Sequence, residues 1–132
     1  MKYFFHLNFW FRQWFKRLTI YVLVFAAILL YMFMPRVLST DELGVFNIFA
    51  DDNSVILECG ISSSAIAYNN HSISKRNNSY FITVYGSLVT KSAHDGRFSV
   101  NIDFSEAAGE CISFYFKDHS FEKIVYTHIR YN

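Results

Sequence analysis

Proline occurs once in this 132-residue chain and glycine five times, which excludes a collagen-like or proline-rich protein. Charged residues make up only 17%, against 52% hydrophobic and 20% aromatic. Intrinsic disorder needs the opposite balance. The length allows one domain and leaves no room for a large multidomain enzyme. Cysteine occurs twice, without a C-x-x-C pair, so neither a zinc site nor thiol–disulfide catalysis is expected. Walker A, G-x-S-x-G, H-E-x-x-H and dinucleotide signatures are all missing.

Acidic residues are absent from the first 36 positions, which carry Lys2, Arg12, Lys16, Arg17 and Arg36. The remaining residues hold seven basic and eleven acidic groups, a balance of −4, so the overall +1 averages two unlike regions. Neither region has the basic stripe of a nucleic-acid-binding protein.

Charge is also absent from Leu18 to Met34, a run of 17 residues. As a helix it covers about 25 Å, the short end of a bilayer span, and aromatic flanks extend its reach at the interface. Pro35 follows, where the helix cannot continue. No small-residue cleavage site follows the run, and 17 residues precede it, so an uncleaved signal anchor fits better than a signal peptide. The basic residues before the span predict an N-terminus in the cytoplasm and residues 36–132 outside the inner membrane.

Residues 1–17 read as an amphipathic element. On a helical wheel Tyr3, Phe4, Leu7, Trp10, Phe11, Trp14 and Phe15 share an arc of about 140°, opposite the basic residues. Such a helix lies in the lipid headgroup region, as a surface anchor or as a docking helix for a membrane partner. A third arrangement is a helix that runs straight into the span.

After Pro35 the pattern changes to period two. Arg97–Phe104 alternates Phe98, Val100, Ile102 and Phe104 against Arg97, Ser99, Asn101 and Asp103. Tyr80–Val89 alternates similarly, and Asp95-Gly96 suggests that these two runs form a hairpin. Gly86 suggests a bulge or a close backbone approach. Cys111–Phe116 and Lys123–Tyr131 form a second hairpin around Lys117–Ser120, and Val45–Phe49 with Ser54–Cys59 a third around Asp51-Asp52-Asn53. Ala65–Tyr68 reads as a short strand, and the polar residues 69–79 as a mobile loop. The expected fold is mainly β: an N-terminal amphipathic helix (1–17), one transmembrane helix (18–34) and a small exported antiparallel β-sandwich or open barrel (38–132).

Two cysteines in an exported domain suggest a disulfide between Cys59 and Cys111. It would close a loop of about 50 residues, worth roughly 4 kcal/mol. His71, His94 and His119 fall in turns or loops, and His119 with His128 makes two metal ligands at most. No catalytic, metal or cofactor site is expected, nor an enzyme. Recognition surface remains: Tyr68, Tyr80, Tyr85, Tyr115 and Tyr126 are candidate interface residues, since tyrosine offers rigid area with a polar tip. The function expected is protein binding beside membrane lipid, in its most specific form an immunity protein neutralising a toxin. The alternative is a single-pass structural subunit of an envelope complex for secretion or division.

Overall fold

The computed structural model describes residues 2–89 and 95–131, which fall into two compact units, residues 1–34 and 35–132. The first is one helix, α1 (Lys2–Phe33), of 32 residues. No proline or glycine interrupts it, so the change from basic to apolar sequence at residue 17 is not a structural boundary. Pro35 stops it by lacking an N–H and disfavouring helical backbone at Met34. The most apolar 18-residue window within Asn8–Phe33 has mean hydropathy 1.8 and is not buried by protein. The 26 residues of Asn8–Phe33 span about 39 Å, enough to cross a bilayer. The Thr19 hydroxyl donates to the Phe15 carbonyl at 2.8 Å, which removes an unpaired polar group from the apolar stretch.

Among the described residues the second unit holds eight strands in two sheets: β1 (Arg36–Val37), β2 (Leu43–Ala50), β3 (Ser54–Ile61), β4 (Ile66–Arg76), β5 (Ser79–Leu88), β6 (Arg97–Asp103), β7 (Cys111–Lys117) and β8 (Glu122–Ile129). The three-stranded sheet has the order β2-β3-β6. In the five-stranded sheet β4 pairs along one side of β5, while β1 and β7 share the other and β8 follows β7. Neither sheet closes into a barrel.

The core lies between the sheets. Val55, Leu57, Cys59, Phe98, Val100 and Ile102 enter it from the three-stranded sheet. Tyr80, Ile82, Val84, Ile112, Phe114 and Phe116 enter from the five-stranded one. The strict in–out burial of Arg97–Asp103 follows its sequence alternation. Gly86 marks a close approach: a Cβ there would lie 2.9 Å from the Ala67 carbonyl, Ile66 Cγ2 and Leu38 Cδ1.

The hairpins β2–β3 and β7–β8 form as the sequence indicates, and Asp51 caps its turn by accepting from Asn53 and Ser54 N–H at 2.8 and 2.7 Å. Three expectations are corrected. First, β5 and β6 are strands but do not pair; they lie in opposite sheets. β5 already has neighbours on both sides, β4 against β1 and β7, so no edge is left for β6. Residues 90–94 of the intervening segment, including His94, lie outside the described residues. Second, residues 69–76 are not a loop but the outer part of β4, which turns into β5 through Asn77-Asn78. Asn77 supplies the positive φ of 56° that this two-residue turn requires, a conformation asparagine tolerates better than most residues. Third, β5 and β7 run parallel, the one such pair among the described strands.

Asp118 ties the β7–β8 turn to the short 3-10 turn Thr40–Glu42. Its carboxylate accepts from the N–H groups of Thr40 at 3.0 Å, Ser120 at 2.7 Å and Phe121 at 2.6 Å. These donors hold its pKa at about 2, down from 3.8. The clasp therefore contributes fully above pH 3.8 and is lost as the pH falls toward 2. Asp118→Ala should melt below the wild type at neutral pH, and the difference should shrink steadily as the pH is lowered from about 4 toward 2 in a melting series. A difference that persists unchanged over that range would contradict the clasp.

Candidate protein-binding face

The five candidate tyrosines divide by strand parity. Tyr80 shares the inward direction of Ile82 and Val84, is 6% exposed and stacks on Phe114 with ring centroids 5.5 Å apart. That removes it from any outer surface. Tyr68 also points between the sheets, stacked on Phe98 at 4.5 Å and within 2.6 Å of His71 Nδ1. Burial pushes the Tyr68 phenol up and the His71 imidazole down, so both are neutral near pH 7. Tyr126 packs against the core and stacks on Phe114 at 5.9 Å. A bulge at Val125 sets this direction, because Phe114 opposes Tyr126 whereas Tyr115 opposes Ile124.

Tyr85 and Tyr115 remain, and both lie half-buried on the outer face of the five-stranded sheet. Between them sits Phe81, which opposes Tyr115 in the parallel register and stacks on it at 5.3 Å. The Arg76 guanidinium stands 4.9 Å from the Phe81 ring centre and Lys117 Nζ 5.7 Å, close enough for both cations to be attracted by the ring. Arg76 also approaches Glu122 at 3.9 Å. Tyr115 opposes Ile124, which is 57% exposed, and Cys111 opposes Ile129, also on this face. Tyr85 lies four residues from Phe81 along β5, about 13 Å. The result is an apolar and aromatic strip with two cations over its central ring. The sequence signal for this face was the parity of Phe81, Thr83 and Tyr85 against Ile82 and Val84; Phe81 and Ile124 were missed.

The expected disulfide is not formed. Cys59 and Cys111 are both free thiols. Cys59 points into the core from the three-stranded sheet, and Cys111 is exposed at the start of β7 in the other sheet. Side chains directed away from each other cannot be bridged without moving backbone. Burial pushes the Cys59 thiol up to about 12, so it is not reactive at neutral pH.

His119 and His128 are not brought together: one lies in the turn before β8 and the other near its end. Among the described residues no three His, Cys, Asp or Glu side chains are grouped closely enough to hold a metal ion. In α1, Trp10, Phe11, Trp14 and Phe15 are all more than half exposed. The side chains of Tyr3, Phe4 and Leu7 lie outside the described residues. In comparisons with known proteins, no family model, curated protein or solved structure matches this chain.

Proposed function

We propose that this chain is a membrane-anchored, non-enzymatic protein-binding domain, held by α1 on the outer side of the inner membrane. The carrying observation is the outer face of the five-stranded sheet. There Tyr85, Tyr115 and Ile124 stay accessible while Arg76 and Lys117 are held over Phe81. Aromatic residues and arginine are the residue types that dominate binding energy at protein interfaces. The most specific form of the proposal is an immunity protein that blocks a toxin as it reaches the membrane. The balance of −4 after residue 36 favours a basic partner through long-range attraction.

The test is capture by the full-length chain in mild detergent, with and without the paired change Tyr85→Ala and Tyr115→Ala. A soluble toxin-like partner should bind the wild type and lose at least about tenfold in affinity to the variant. Partners that ignore the tyrosines and vanish when residues 1–36 are exchanged for another anchor would make the chain a subunit of an envelope complex instead.

A further inference from the structure

The three-stranded sheet carries a groove of about 550 Å³ formed by β2, β3 and β6. Small-molecule sites run to roughly 300–1,000 Å³ and set a few polar groups beside an apolar wall. Two local features build this one. The register of β2 on β3 shifts between Val45 and Asn47, so Phe46 is an extra residue that leaves the ladder. Gly60 lies against its ring, where a Cβ would strike Phe46 Cζ and Cε2. The bulge aims the ring and the glycine admits it, yet the ring stays 60% exposed.

The polar groups come from all three strands. Arg97 opposes Gly60 in the β3–β6 register, and its guanidinium stands 5.6 Å from the centre of the Phe46 ring. Glu58 precedes Gly60 by two residues on the same face, with Asn47 opposite on one side and Ser99 on the other. Asn47 Nδ2 donates to Glu58 Oε2 at 2.9 Å, which orients the carboxylate. Among the described residues Arg97 and Glu58 form no ion pair with each other. The groove therefore offers a cation and an anion with hydrogen-bonding capacity left over, beside an accessible ring.

This charge pattern selects the ligand. A ligand with only a carboxylate meets Glu58 unfavourably, and one with only an amine meets Arg97 unfavourably; a ligand with both charges a few ångströms apart satisfies each. A peptide terminus carries one such charge, whereas a free amino acid carries the two on adjacent atoms of one molecule. We propose that this groove binds a free α-amino acid with an apolar side chain. Its carboxylate takes the Arg97 guanidinium, whose parallel N–H groups match it. Its ammonium donates to Glu58, and its side chain lies on Phe46. The site is on the sheet opposite the aromatic face described above, so it stands or falls independently of toxin capture.

The test is calorimetric titration of the full-length chain in detergent with leucine, methionine and phenylalanine. At least one should bind with a dissociation constant below about 1 mM. The N-acetyl and amide derivatives of the tightest of them, which each lack one charge, should bind at least about tenfold more weakly. Arg97→Gln should weaken the amino acid by a similar factor but leave its amide, which has no carboxylate to lose, unchanged. Glu58→Gln should likewise weaken the amino acid and leave the N-acetyl derivative unchanged. Melting temperatures of both variants should stay within a few degrees, because Arg97 is exposed and Glu58 is half-buried on an outer face. No binding of any of the three at about 10 mM overturns the proposal. Derivatives that bind as tightly as the amino acid overturn it as well, and would reduce the groove to an apolar contact.

Discussion

Replacing Phe114 by alanine should remove about 3–5 kcal/mol of stability, a large part of the roughly 5–15 kcal/mol available to a domain of this size. Phe114 is fully buried and stacks on Tyr80 and Tyr126, and meets Phe104 edge-on with ring centroids 5.7 Å apart. Its removal leaves a cavity where strands β5, β7 and β8 meet, and the three surrounding rings lose their shared partner. For a unit of under 100 residues each kcal/mol moves the melting temperature by about 4–8 °C, so a fall of more than about 12 °C is expected. Thermal unfolding of the full-length chain, followed by circular dichroism of the strands, measures it. A fall smaller than about 4 °C would mean that the packing between the sheets does not depend on this ring. Tyr85→Ala serves as the control: the side chain is half in solvent, and the change should be several-fold smaller.

Local signals carried most of what was legible in the sequence. The uncharged run from Leu18 to Met34 and Pro35 after it fix the end of α1. The Asx turn at Asp51 and the turn at Lys117–Ser120 fix two hairpins. Pairing between distant strands was not legible. The parallel contact of Phe81 with Tyr115 joins residues 34 apart, and no turn chemistry announces it. The outer half of β4 escaped notice for another reason. That half, Asn70–Arg76, borders only β5 and lies mostly in solvent, so it needs no apolar alternation to be a strand. The disulfide expectation weighed the cysteine count over parity. Cys111 alternates against Ile112, Phe114 and Phe116, which places it on the outer face, while Cys59 shares the inward direction of Val55 and Leu57. Parity applied to Tyr80 likewise puts it in the core, and the bulge at Val125 hides the direction of Tyr126 until the register is known.

The proposed function depends on the β domain facing outward from the membrane, and the two thiols supply a probe of that placement. Cys111 is exposed and Cys59 is buried, so a membrane-impermeant maleimide reports on Cys111 alone in the folded protein. The most direct measurement is labelling of the full-length chain in intact spheroplasts, followed by an alkaline wash of the membranes. Labelling at Cys111 is expected before lysis, abolished by Cys111→Ser, on protein that stays with the washed membranes. Labelling that begins only after lysis would put the β domain on the cytoplasmic side and remove the proposed encounter with an incoming partner. Labelled protein released by the wash would contradict the anchor.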